Sequence, residues 1–368
     1  MVNHHQKLIF QFLLCLLLAC TQKTSSEFKN TQKKSKVYFS PLSCDSIEIF
    51  VKGRLKDRLP LFREKIDSLF DKHYLYYVNT ELEIVFIPIL NENKLPKFLS
   101  LKNYSSSVNE IPLLVKDSII YSLVPEKYLI YTLYINQNFQ IKNVDSLNFS
   151  NLLDKTDIFL KNNVEQPFQF LDNKFFLPIG SLKRRKKFVD RYSYLIIEKK
   201  DNRWISYKGI ENPLEYIEAL RRTKVPLLFP YTENQAIFMH QSIDRITVIE
   251  NRTLKPNSIN DYNPYTDYET FDYDQNKDLG YIRHYETTKE ENMQFLVGTD
   301  FTLIIKKLKT QKINDPRRYE YIVLNKNFKM IHYDSIPFNI APFLSFRYKR
   351  GFVLVNKNLS KGYYYAVN

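Results

Sequence analysis

The sequence predicts an all-β fold with a few short helices, arranged as a six-bladed β-propeller or, alternatively, as a two-domain β-sandwich. Three observations lead there. Tyr and Phe each occur 27 times in 368 residues, against one Trp and 7 Gly, and such aromatics favour pleated, half-buried surfaces where they fill the space between sheets. Short apolar runs pair across turns rich in Asn and Asp along most of the chain. These pairs recur roughly every 45–55 residues, the scale of one blade, so residues 37–368 have room for roughly six.

The first residues read differently. Lys7 precedes the apolar run Leu8–Leu18, which is followed by Ala19 and Cys20. A positive flank, a short apolar core and a small residue before the cut make a secretory signal over residues 1–19. The run is roughly a dozen residues, short of the ~20 that span a bilayer as a helix. Leu17-Leu18-Ala19-Cys20 resembles a bacterial lipobox, which makes Cys20 the expected site of acylation by chains such as palmitate. Each buried CH₂ contributes about 0.8 kcal/mol, so two or three chains hold a protein on a membrane. Residues 20–36 are mostly polar and read as a tether. With Cys15 in the signal and Cys20 acylated, Cys44 is left without a disulfide partner and is expected as a small buried hydrophobe.

The strand pairs follow in order. Leu75–Val78 turns at Asn79-Thr80 into Leu82–Phe86. Asp117-Ser118-Ile119 leads to Leu129–Ile135, and Asn136-Gln137-Asn138 turns into Phe139–Ile141. Phe168–Leu171 turns at Asp172-Asn173 into Lys174–Pro178, and Tyr194–Ile197 turns at Asp201-Asn202 into Trp204–Tyr207. Ala236–Met239 precedes Arg245–Ile249, and Phe295–Val297 turns at Gly298-Thr299-Asp300 into Phe301–Ile305. Tyr319–Leu324 turns at Asn325-Lys326-Asn327 into Phe328–Ile331, and Phe343–Phe346 turns through Lys349-Arg350-Gly351 into Phe352–Val355. Asn and Asp replace Gly in these turns because their side chains tolerate left-handed backbone. Leu59–Phe70 and Pro213–Arg222 have helical spacing, with Pro213 at a first-turn position. Residues 257–278 form a polar, acidic-aromatic insertion.

Several phrases carry a resemblance: Asp117-Ser118-Ile119, Leu228-Phe229-Pro230-Tyr231, and Asn325-Lys326-Asn327-Phe328 through Arg350-Gly351-Phe352. Over roughly residues 70–358 the chain resembles Bacteroidota lipoproteins of the six-bladed, TolB-like β-propeller group, whose function is not known. In that group a blade strand ends in an Asp/Asn-x-Asn-Phe/Gly turn, and a late Gly opens the strand of the last blade. The resemblance implies a fold and a place in the bacterial cell envelope, and it carries no catalytic residues. Surface-export signals in such lipoproteins tend to be acidic, whereas here Cys20 is followed by Lys-rich sequence with only Glu27. That favours the periplasmic face of the outer membrane over the cell surface.

Chemistry is sparse. His73, His240, His284 and His332 show no metal-ligand spacing and are expected at the surface or half-buried. Oxygen ligands at alternate positions, Asp272, Asp274, Asn276 and Asp278, could wrap calcium, but Lys277 stands where the sharp-turn Gly belongs and Arg283 where the bidentate Glu belongs. A solvated loop is the plainer reading. Tyr262, Tyr265, Asp267 and Tyr268 are candidates for sugar binding, their alternative being a surface loop with tyrosines packed on its own body. The run Lys183, Arg184, Arg185, Lys186, Lys187, with Arg191 nearby, is a candidate for phosphate or acidic glycan. Like Lys306-Lys307 and Arg317-Arg318, it also reads as solvated charge. Net charge is +14, from scattered Lys and Arg. No nucleophile elbow and no glycine-rich phosphate loop occurs. The expectation is a non-catalytic binding or scaffolding lipoprotein for a protein or glycan partner, with no cofactor and no nucleic acid. A glycan-directed hydrolase or lyase using carboxylates near residues 261–278 is the alternative, and a structural protein binding anionic envelope components is the third reading.

Overall fold

The computed structural model describes residues 42–49, 65–90, 94–105, 112–153, 158–160, 168–181, 192–211, 227–241, 243–262, 289–312 and 314–367. They form six antiparallel sheets in chain order. Blade 1 holds β2 (Lys65–Leu69), β3 (Lys72–Val78), β4 (Glu83–Pro88) and β5 (Lys97–Ser100). Blade 2 holds β6 (Leu113–Lys116), β7 (Ile119–Val124), β8 (Leu129–Ile135) and β9 (Ile141–Asn148). In blade 3 the first strand comes in two pieces, β10 (Ile158–Leu160) and β11 (Gln169–Leu171), both paired to β12 (Lys174–Ser181). It is followed by β13 (Tyr192–Lys200) and β14 (Arg203–Glu211). Blade 4 holds β15 (Leu227–Thr232), β16 (Gln235–His240), β17 (Ile243–Glu250) and β18 (Pro256–Asp261). Blade 5 holds β19 (Glu291–Leu296), β20 (Phe301–Lys307), β21 (Tyr319–Asn325) and β22 (Met330–Ile336).

Blade 6 closes the ring. It takes β23 (Phe346–Tyr348), β24 (Gly351–Val355) and β25 (Lys361–Ala366) from the end of the chain, and its fourth strand is β1 (Cys44–Glu48) from near the beginning. β1 and β25 run antiparallel, from Cys44 opposite Tyr365 to Glu48 opposite Lys361. The sequence shows neither strand, because β1 is almost wholly exposed and carries a single half-buried apolar residue, Ile47. Cys44 is exposed on this outer strand, not buried as the sequence reading expects.

Apolar cores sit at the seams between blades, and every seam has one. Phe346 and Val353 of blade 6 pack with Leu75 and Ile87 of blade 1, and these with Ile120 and Phe139 of blade 2. Tyr121 and Ile130 meet Phe175 and Leu195 between blades 2 and 3. Phe176 and Ile196 meet Leu228 and Phe238 between blades 3 and 4. Ile237 and Ile246 meet Ile304 and Ile322 between blades 4 and 5, and Leu303 and Tyr321 meet Phe352 and Tyr365 between blades 5 and 6. Successive residues of a strand point to opposite faces. A second strand therefore serves two seams at once and reads as an unbroken apolar run. Continuous closure round six seams rules out the two-domain sandwich.

The turns explain the scarcity of glycine. Asn136 Oδ1 accepts from the backbone N–H groups of Asn138 and Gln140 at 2.9 and 3.0 Å, while Phe139 N–H returns to the Asn136 carbonyl at 2.9 Å. Asn79 and Asn325 repeat this pattern, and Asn356 varies it: its Oδ1 accepts from Ser360 and Lys361, while Leu359 N–H returns to its carbonyl. In each the residue three positions on, Leu82, Phe139, Phe328 or Leu359, has φ near +57 and is an apolar side chain where Gly is usual. One glycine is fixed by crowding: a Cβ on Gly351 would collide with the Tyr365 backbone carbonyl. A Cβ on Gly298 would meet only the end of the Arg347 side chain, which can shift.

Helical structure among the described residues is confined to single 3₁₀ turns at Pro125–Lys127, Ser150–Leu152 and Pro342–Leu344. The helical reading of Leu59–Phe70 fails where it can be followed: Lys65–Leu69 is strand β2, and Phe70 and Asp71 take positive φ in the turn after it. Pro213–Arg222 lies outside the described residues.

Candidate functional site

Alternate strand direction gives each blade two ends. Turns joining strands 1 to 2 and 3 to 4 leave from one end, here the lower. Connections from strand 2 to 3, and from strand 4 to the next blade, leave from the upper end. The chain leaves β12 at Ser181 and re-enters at Tyr192, leaves blade 4 at Tyr262 and re-enters at Lys289, and leaves β20 at Lys307 and re-enters at Tyr319. All six points belong to the upper end. The basic run Lys183–Lys187 with Arg191, the acidic-aromatic insertion and the exposed pair Arg317-Arg318 are thus strung between strands that finish together.

At the described strand ends on either side of residues 263–288 lies a buried polar network between blades 4 and 5. Lys306 and Asp244 are each 2% exposed, and Lys306 Nζ donates to Asp244 Oδ2 at 2.6 Å and lies 2.5 Å from Glu290 Oε1. Asn292 Nδ2 donates to Asp244 Oδ1 and to the Tyr262 hydroxyl, both at 3.0 Å. The Tyr262 hydroxyl donates in turn to Asp244 Oδ1 at 3.3 Å. On the opposite face of β20, the buried Lys307 and Glu291 stand 3.7 Å apart. The sequence reads Lys306-Lys307 as solvated charge. They are buried because each meets a carboxylate: blade 4 brings Asp244 against Lys306, and the paired strand β19 brings Glu291 against Lys307.

Burial sets the electrostatics here. His240, at the end of β16, is 2% exposed, and desolvation, helped by the Lys289 charge, lowers its pKa to about 3. It stays neutral at physiological pH, in an interior position the sequence reading does not expect. The Tyr333 hydroxyl is pushed well above the usual tyrosine range by burial and by the Glu320, Glu290 and Asp244 carboxylates. Arg245 forks onto both carboxylate oxygens of Asp261, the last residue of β18.

The first residues of the segment read as an insertion, 257–261, are instead strand β18, and the chain is moored on either side of residues 263–288: at Asp261 and Tyr262 where it leaves, and at Glu290, Glu291 and Asn292 where it returns. Of the sugar-binding candidates, Tyr262 lies in this interior, 3% exposed. Tyr265, Asp267 and Tyr268 lie outside the described residues, as do Lys183, Arg184, Arg185, Lys186 and Lys187, the calcium candidates Asp272, Asp274, Asn276 and Asp278, and the acylation candidate Cys20. Among the described residues no three His, Cys, Asp or Glu side chains are grouped to hold a metal ion.

A solved structure shares this architecture. A protein from Bacteroides fragilis NCTC 9343 described as exported aligns over 89% of this chain and 95% of its own, with a TM-score of 0.52 at 8% identity. The WD40 domain of Neurospora crassa Pan2 aligns over 86% of this chain and 79% of its own, at TM-score 0.42 and 9% identity. A protein of unknown function from Bacteroides caccae aligns over 72% of this chain and 78% of its own, at TM-score 0.39 and 6% identity. The likeness is one of fold. No protein-family model and no curated protein matches the chain.

Sequence reasoning missed the Asp244–Lys306–Asn292 network, whose members come from three strands of two blades. The Arg347 contact was equally hidden. Its guanidinium donates to the Phe301 carbonyl at 2.8 Å and to Asp300, and lies 4.0 Å from the Phe301 ring centroid. Burial raises the Asp300 carboxyl, but hydrogen bonds from Phe301 N–H and Arg347 outweigh it and hold the pKa below the usual value.

Proposed function

We propose that this chain is an exported, lipid-anchored binding propeller of the bacterial envelope, which engages a protein or glycan partner through its upper end without chemistry of its own. The observation that carries the reading is the shared exit of the three charged connections above blades 3, 4 and 5, with the longest moored by buried ion pairs. A rigid ring that fixes the roots of long loops is a common way to build a recognition surface. Basic and acidic-aromatic segments that leave from the same end of the ring suit a partner carrying both signs, and charge complementarity mainly sets encounter rate and specificity. The buried carboxylates Asp244, Glu290 and Glu291 are held by Lys306 and Lys307, which suits mooring better than proton transfer. The lipobox-like Leu17–Cys20 supports acylation at Cys20 and, with the Lys-rich tether, the periplasmic face of the outer membrane.

The test is cross-linking of the full chain in its native envelope, followed by mass spectrometry. Wild type is compared with a chain whose residues 263–288 are replaced by a short neutral linker, and with Arg317→Glu/Arg318→Glu. A discrete partner captured by wild type and lost in both variants is the expected result. Equal capture by all three proteins would remove the upper end from consideration.

A further inference from the structure

A second site, at the opposite end of the ring, goes beyond that reading. The lower edge of blade 3 holds an open cavity of about 530 Å³ lined by Phe170, Asn173, Lys199, Asp201, Asn202 and Trp204. That volume lies within the roughly 300–1,000 Å³ of small-molecule sites. We propose that it binds a neutral saccharide, with one pyranose ring seated against Trp204 and Phe170.

The fold builds this cavity from two turns. Leu171 pairs with Lys174 across Asp172-Asn173, and Lys200 with Arg203 across Asp201-Asn202. All four turn residues have positive φ, from +47 to +62. These are two-residue hairpin turns of the type that favours Asn, Asp and Gly. Both lie at the lower end, so they bring two amides and a carboxylate to the same rim. Lys199 is directly opposite Trp204 on the neighbouring strand, which places the ammonium and the indole on one face of the sheet.

The aromatic part is held from behind. The Phe170 ring packs at a tilt 4.7 Å from that of Phe175 and 4.9 Å from that of Tyr121 of blade 2, and Trp204 lies 6.3 Å from Phe175. Phe170 and Trp204 are only partly buried, whereas Phe175 is interior. The result is a fixed, half-exposed aromatic floor.

The lining chemistry selects the ligand. A pyranose presents C–H groups on one face, which suit the negative face of an aromatic ring, and hydroxyls at its edge that each donate and accept. Asn173 and Asn202 offer donors and acceptors, Asp201 accepts and Lys199 donates. Lys199 and Asp201 carry opposite charges, so the rim is neutral overall and gives no preference to an anion or a cation. Among the described residues no side-chain hydrogen bond or ion pair occupies Asn173, Lys199, Asp201 or Asn202. An open cavity admits either a free oligosaccharide or one unit of a longer polymer, and the chemistry is the same.

Trp204 is the chain's single tryptophan, so its emission reports on this cavity and on nothing else. The full chain is titrated with maltotriose, cellotriose, chitotriose and xylotriose while that emission is followed. Co-sedimentation with insoluble starch, cellulose, chitin and xylan separates polymer from free sugar. The companion variant is Asn173→Gly/Asn202→Gly. It creates Asp-Gly at both turns, the favoured pair for this geometry, and removes only the amides.

A saturable emission change with one sugar, at roughly millimolar affinity, is the expected outcome. The variant should weaken it about tenfold or more, as for two lost hydrogen bonds, with an unchanged melting curve. Sedimentation by a polymer without response to its trisaccharide would place the same recognition on internal units. The proposal is overturned if no sugar or polymer perturbs Trp204 emission, if the variant binds as wild type does, or if only a nucleoside or peptide gives the response.

Discussion

Lys306 shows how much a single position can carry. Its ammonium is buried between Asp244 and Glu290, and a buried carboxylate robbed of its cation is far costlier than the intact pair is stabilising. Lys306→Met should therefore destabilise the protein by about 3–5 kcal/mol in chemical denaturation, while Lys306→Met/Asp244→Leu should recover much of the loss. His240 sets a pH dependence of definite sign. In the unfolded chain it titrates near 6.5, but in the folded ring its pKa is about 3. Between those values the unfolded chain binds a proton that the folded chain refuses, so stability falls as pH drops through that window. The loss should be on the order of 2–3 kcal/mol at about pH 4.5, and His240→Gln should flatten this limb of a stability–pH profile. Neither residue could be placed from sequence. Lys306-Lys307 looks like any exposed basic pair until Asp244, sixty-two positions earlier, is brought against it, and a lone His gives no sign of its depth.

At the scale of elements the turns were the legible part. Asn136-Gln137-Asn138 and Asn325-Lys326-Asn327 mark hairpins because a side-chain oxygen substitutes for missing backbone partners. Asn325→Ala removes two such bonds and should cost about 1–2 kcal/mol, whereas Asn325→Asp, which keeps the acceptor, should cost less; thermal melts of both variants check this. Second strands and most third strands were also legible, since burial on both faces demands an apolar run, and β25 was the exception. Half of the fourth strands were not: β1, β5 and β18 are largely exposed and carry no pattern. Helical and strand spacing are hard to tell apart in short apolar stretches, which is how Lys65–Leu69 came to read as helix. Deleting Cys44–Glu48 should leave β25 as an open edge, prone to pairing with other chains. Lower melting temperature and light scattering on warming are expected, both relieved by adding a peptide of residues 42–49.

Over the whole molecule, each blade shares its core with two neighbours, and no seam can melt without exposing the next. Unfolding followed by Trp204 emission, which reads blade 3, should coincide with unfolding followed by far-ultraviolet dichroism, which reads all blades. Separate transitions would show that blade 3 unfolds on its own. The ring of six was legible because its repeat is set by blade size, but the candidate sites were not. Charge runs such as Lys183–Lys187 stand out in any sequence, whereas the cavity joins Phe170 and Asn173 to Lys199–Trp204 only through pairing across four strands. The hairpins that make its rim read in the sequence as turns and nothing more.

The fastening of blade 6 also has a mechanical meaning. Whatever tension reaches the ring through its N-terminal segment enters at Cys44, the first residue of the strand that locks the circle. Drawn along its own axis, β1 resists in shear, with its rungs to β25 loaded together. Drawn sideways, it peels one rung at a time and the circle opens. The direction of pull would decide whether this protein behaves as a clasp or as a release.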